Sequence, residues 1–154
     1  MRAKAVLLAL LLCLVPSVLL AVEGTGLETG GNKNISFLVE GLSDDTRKVG
    51  LTKDLIKAKV ELQLRKNGLK GSDDADLNGF LYVNVNAIEG AYSIIILYKR
   101  PVTYTVGSES FDVVGDVWSK SSVGNHGGSS DFIIKWVLRY IDVFSAEYLK
   151  ANGL

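Results

Sequence analysis

The stretch from Phe80 to Tyr104 constrains this chain most. Phe80 to Ile88 reads FLYVNVNAI, with an apolar residue at every second position from Leu81 to Ala87. That is the period of a strand with one buried face. Glu89-Gly90 is a two-residue turn candidate, and Ala91 to Tyr104 is again β-rich until Pro101, which marks a sheet edge or a strand end. If Glu89-Gly90 closes a hairpin, Ile88 pairs with Ala91 and the register follows from there. Leu81, Val83, Val85 and Ala87 then share a face with Tyr92, Ile94, Ile96 and Tyr98. That face is almost wholly apolar and needs a cover. The other face carries Tyr82, Asn84, Asn86, Ser93, Ile95 and Leu97 and is mixed. A lone hairpin is marginal in water, so further strands and a helical layer are required.

The cover is written in two helices. Thr52 is an N-cap before a run in which Leu55, Ile56, Val60 and Leu64 recur near helical spacing, and Leu51 with Ile56 forms a hydrophobic staple. Asn67-Gly68-Leu69 supplies a glycine stop and an apolar residue to meet Leu64. The second helix spans Asp131 to Asn152, capped by Ser129 or Ser130. Its stripe is Ile134, Val137, Ile141, Phe144 and Tyr148. Asn34 to Leu42 reads as a first strand, and Phe111 to Ser121 as a last one after Gly107-Ser108-Glu109. Ser43 to Gly50 reads as a charged loop and Lys70 to Gly79 as a polar connection. The expected class is α+β, a two-layer sandwich of a four-stranded sheet with two helices on one face, in the order β-α-β-β-β-α.

The first residues serve a different purpose. Met1 to Ala21 has a positive start at Arg2 and Lys4, an apolar stretch from Ala5 to Leu20, and a small residue at the end. This is the plan of a secretory signal peptide, with an uncleaved membrane anchor as the alternative. Pro16 near the end of the run favours the signal, because it breaks a helix. Cys13 lacks the small residues that lipidation needs before it. Val22 to Lys33, rich in glycine, reads as a flexible leader, and 34–154 as one domain. A secreted or periplasmic location follows, with no membrane span once the signal is cleaved.

Cleavage after Ala21 leaves 133 of the 154 residues, 15 basic against 17 acidic, and no cysteine. A slightly acidic chain has no electrostatic footprint for nucleic acid. One histidine and no mature thiol exclude a Cys/His zinc cluster and an iron–sulfur site, and no cofactor is implied. Asp74, Asp76 and Asn78, with Gly79, match the first half of a calcium loop, but position twelve is Val85 and a strand follows; the plain reading is an acidic solvated loop. Asp112 and Asp116 could face one way as a carboxylate pair, yet nothing supplies a cleft.

Two surfaces remain as candidates. If Phe111, Val113 and Val117 point inward, Trp118 joins Tyr82, Ile95 and Leu97 on the open sheet face, as a surface for a protein partner or for self-association. Scattered surface apolar residues are the plainer reading of the same pattern. An exposed strand edge offers a second contact mode. The alternative is a small-ligand or hydrolytic site at the loop Gly124 to Ser130, with His126, Ser129 and Ser130. There the plain reading is a connecting loop with a helix cap. The poverty of reactive residues favours binding over catalysis.

The runs LTKDLIKAKVELQLRKNGL, FLYVNVNAI, YSIIILYKRPV and VWSKSSVGNHGGSSDFI, with EYLKANG at the end, resemble a group of small secreted bacterial proteins over most of Leu51 to Gly153. The resemblance implies no activity, and no catalytic residue carries over. The signal and element order are more distantly similar to small bacterial envelope domains that bind partners. Examples are the lipopolysaccharide-assembly lipoprotein and the N-terminal domain of the Tol-system propeller protein. This chain lacks the lipidation motif that many such proteins carry.

Overall fold

The Glu89-Gly90 hairpin forms in the expected register, Ile88 opposite Ala91 and Leu81 opposite Tyr98. Around it, the computed structural model describes residues 24–73 and 78–154. The expected signal peptide and residues Asp74 and Asp76 lie outside the described residues. The chain is mixed α/β with one open sheet. Its elements are β1 (Asn34–Val39), α1 (Asp44–Lys48), α2 (Lys53–Lys66), β2 (Lys70–Ser72), β3 (Phe80–Ile88), β4 (Ala91–Val106), β5 (Glu109–Asn125) and α3 (Ser130–Ala151). Among the described residues the sheet has five strands in the order β2-β1-β3-β4-β5, not four. β1 runs parallel to both β2 and β3, while β3, β4 and β5 form an antiparallel meander. Three residues with little apolar character, Lys70-Gly71-Ser72, make β2, which is why the stretch reads as a connection.

Both long helices form where their caps place them. Thr52 Oγ1 accepts the Leu55 N–H at 3.1 Å, and α2 closes with the Leu69 N–H donating to the Leu64 carbonyl at 2.9 Å. Ser129 caps α3 by accepting the Phe132 N–H at 3.3 Å. Ile134, Val137, Ile141, Phe144 and Tyr148 are all buried. They meet Ile35, Phe37 and Val39 of β1 and the inward faces of β3 and β4 in one apolar cluster. The charged stretch after β1 hides a short helix. Ser43 caps α1, and the buried Thr46 hydroxyl donates to the Ala87 carbonyl and accepts the Ala87 N–H at 2.9 Å. That pins α1 to the end of β3.

Two further expectations need correction. The described part of the expected leader, 24–33, is built into the fold. Leu27 is 1% exposed within the core. Asn152 Oδ1 accepts the Thr29 N–H at 2.7 Å, Asn152 Nδ2 donates to the Leu27 carbonyl at 2.9 Å, and the Tyr148 hydroxyl donates to the Asn32 carbonyl at 2.7 Å. Arg100 donates to the carbonyls of Gly26 and Glu28. Glycine content suggested freedom, but one leucine in the core and a clasp of side chains outweigh it. The second correction concerns β5. Tyr98 pairs with Trp118 and Lys99 with Asp116, so Val117 is an extra residue in a β-bulge. One inserted residue reverses the parity of every side chain beyond it. Phe111, Val113 and Trp118 therefore all lie on the helix side of the sheet.

Among the described residues, no helix is long and apolar enough to cross a membrane.

Candidate functional site

Trp118 is a core residue. It is 8% exposed, its ring meets Phe144 edge-on at 5.2 Å, and its indole N–H donates to Glu147 Oε2 at 2.6 Å. The other three candidates do come together. Tyr82 pairs with Leu97 across β3 and β4, and Ile95 lies opposite the adjacent Asn84. They sit on the sheet face away from the helices.

That face is ordered in rows. Leu38, Tyr82, Leu97 and Ser119 lie side by side across four strands, and Asn84, Ile95 and Ser121 form the next row. Beside them, Asn86 and Ser93 lead to Val123. Glu40, just after β1, holds the polar part in place: the Tyr82 hydroxyl and the Asn84 amide both donate to Glu40 Oε2. Asn86 donates on to Asn84 Oδ1 at 2.6 Å. Hydrogen bonding to the Glu40 carboxylate, aided by desolvation and by the carboxylate's charge, pushes the Tyr82 phenol up to about 12. Lys99 lies over the Tyr82 ring at 5.6 Å and pairs with Asp116 at 2.6 Å. The face is a fixed array of amides, hydroxyls and one aromatic ring, with Leu38, Ile95 and Leu97 set among them.

The glycine loop is occupied with structural work. His126 is buried, and Gly128 N–H donates to its Nδ1 at 3.1 Å. With Nδ1 accepting, the proton belongs on Nε2, which donates to the Ile88 carbonyl at 2.9 Å. The neutral ring thus staples the β5–α3 loop to the β3–β4 turn, and both nitrogens are spoken for. Ser129 serves as the α3 cap and Ser130 is its first residue, so neither is positioned as a nucleophile by the histidine. Beside this loop lies a hollow of about 440 Å³ lined by Asp45, Lys48, Glu89 and His126 among others. Among the described residues, no three His, Cys, Asp or Glu side chains gather as metal ligands. Of the acidic-loop candidates only Asn78 is described. Asp112 and Asp116 are separately engaged, with Thr103 and Lys99.

One feature escaped the sequence reading. β3 meets β4 only from Ala91 to Lys99, whereas β4 and β5 continue as a two-stranded arm, Arg100 to Gly115, closed at Gly107-Ser108. Gly107 at positive φ in the first turn position fits a tight hairpin turn. Pro101, lacking an N–H, sits where β4 has lost β3 as a neighbour and so forfeits no bond on that side. The alternation of Val102, Tyr104 and Val106 was a signal that the strand runs on. On the arm's helix side, Tyr104 and Phe111 stack at 5.3 Å.

Comparison of the chain with protein-family models, with curated proteins and with solved structures finds no match.

Proposed function

We propose that this chain is an exported, non-enzymatic binding module that engages a protein partner through the uncovered sheet face around Tyr82, Ile95 and Leu97. The observation that carries the reading is that face itself. Among the described residues, five strands have helices on one side only, and the other side presents apolar residues among polar groups already held in position. A preorganised mixed surface suits recognition, because little ordering remains to be done on contact. The signal-like Met1–Ala21 supports export to a secreted or periplasmic location.

The test is chemical crosslinking of the exported protein in its native envelope or secreted fraction. Wild type and His126→Ala should give the same crosslinked species, and Ile95→Asp with Leu97→Asp should lose it. Recovery of no crosslinked species with wild type would count against the proposal. So would loss of the species in His126→Ala alone. That second outcome would favour the alternative, a small polar ligand in the hollow beside the loop, where Asp45, Lys48 and Glu89 offer charges of both signs.

A further inference from the structure

The arm and the β5 edge lie apart from the Tyr82 face and raise a separate question. The arm's helix side carries Val102, Tyr104, Val106, Phe111 and Val113, yet among the described residues no helix lies beneath it. Tyr104 is 48% exposed and Val106 62%. β5 is also the last strand of the sheet, with no strand neighbour on its outer side among the described residues. Beneath that edge, Phe132, Trp136 and Tyr140 form a ring ladder along the flank of α3, at 6.5 Å and 6.0 Å spacing. Tyr92, opposite Gly124 of β5, touches Phe132 at 5.9 Å, and the Tyr140 hydroxyl donates to the Ser121 carbonyl at 3.2 Å. The ladder therefore follows the body half of β5.

These two unpartnered features are complementary. The bulge at Val117 divides β5 into an arm half, 109–115, and a body half, 119–125, of equal length. Antiparallel pairing of two identical strands about a two-fold axis beside the bulge, in the register that sets Val113 opposite Lys120 and Phe111 opposite Ser122, puts the arm half of one against the body half of the other with helix-side residues facing helix-side residues. It also keeps the helix sides of both sheets on the same side. The apolar face of each arm then lies over the other copy's ring ladder. Charge agrees with this pairing and opposes arm against arm. On the helix side the arm half carries Glu109, whereas the body half carries Lys120, 3.8 Å from Glu147 of its own copy, and Arg139 lies over Trp136 at 4.8 Å. An aromatic side chain offers about 150–250 Å², so the exposed parts of the arm and ladder supply on the order of 400 Å² of apolar surface per copy. The strand edges add to this, which brings the contact toward the roughly 800 Å² per partner of a stable interface.

We propose that two copies of this chain pair antiparallel through the free edges of β5, each laying its arm over the other's Phe132–Trp136–Tyr140 ladder. The test is light scattering with size exclusion over a dilution series of the exported protein. Wild type should be a dimer that dissociates on dilution. Phe111→Lys on the arm and Trp136→Asp on the ladder should each raise the dissociation constant at least tenfold, with thermal unfolding of the monomer little changed. Mixing the two variants should restore a dimer, seen by native mass spectrometry. In that heterodimer one site is intact and the other sets the new lysine against the new aspartate. Because Trp136 is partly buried, Phe132→Asp provides a second ladder variant for the same mixing. A wild type monomeric at about 100 µM, where a dissociation constant of about 10 µM would leave most of it paired, overturns the proposal. So does a dimer lost in Ile95→Asp but kept in Phe111→Lys, or a mixture that stays monomeric.

Discussion

Leu27→Ala tests whether residues 24–33 belong to the fold or hang from it. The side chain is sealed in the core cluster. Deleting its outer carbons removes their transfer free energy and leaves a cavity, a loss of about 2–5 kcal/mol in well-packed cores. The upper part of that range fits here, because the segment is held on both sides of Leu27 and cannot readily close the gap. Thr29 and Asn32 are fixed to Asn152 and Tyr148, and Gly26 and Glu28 to Arg100. For a chain of this length about 4 °C accompanies each kcal/mol, so the melting temperature should fall by about 8–20 °C. Urea and thermal unfolding followed by circular dichroism give both numbers, and limited proteolysis should show new cleavage within 24–33. Asn152→Ala is an independent check, since it removes an acceptor from Thr29 and a donor to Leu27 and should cost about 1–3 kcal/mol. A change of less than about 0.5 kcal/mol for Leu27→Ala, the size of an ordinary surface substitution, would refute the reasoning and return the segment to the status of a leader.

Trp118→Phe keeps most of the ring but loses the donor to Glu147, and the urea midpoint should report a loss of about 1–3 kcal/mol. His126→Ala leaves the Gly128 N–H and Ile88 carbonyl without their partner, and the same assay should show a loss of about 1–3 kcal/mol. Tyr82 should ionise near 12 rather than 10.0, and Glu40→Gln should bring its phenolate absorbance back toward the ordinary range. Since the folded value is the higher one, the stabilisation from this proton is complete below pH 10 and is lost as pH rises toward 12. A titration unchanged by Glu40→Gln would remove the carboxylate as the cause.

Much of the fold was legible because short-range signals agreed with one another. Thr52, Ile56 and the Asn67-Gly68-Leu69 stop define α2, and the alternation around Glu89-Gly90 defines the central hairpin and its register. The face shared by Tyr82, Ile95 and Leu97 followed from that register alone. What stayed hidden depended on contacts distant in sequence. Nothing near Val117 announces a bulge, and without it strict alternation sends Trp118 outward. Lys70-Gly71-Ser72 becomes a strand only because β1 is there to pair with it. Leu27 is one apolar residue among glycines, and its anchors lie more than 100 residues away. His126 invites a catalytic reading until both its nitrogens are seen bonded to backbone.

The clasp between residues 27–32 and the end of α3 has a consequence for how the chain comes into being. Synthesis proceeds from the N-terminus. Thr29 and Leu27 emerge well before Tyr148 and Asn152, which hold their segment. The strap can therefore lock only once α3 is available, and until then Leu27 and the faces it seals stay open. A chain ending before Asn152 would lack the latch on residues 27–29. Residues 27–32 and the last turn of α3 thus close the fold together.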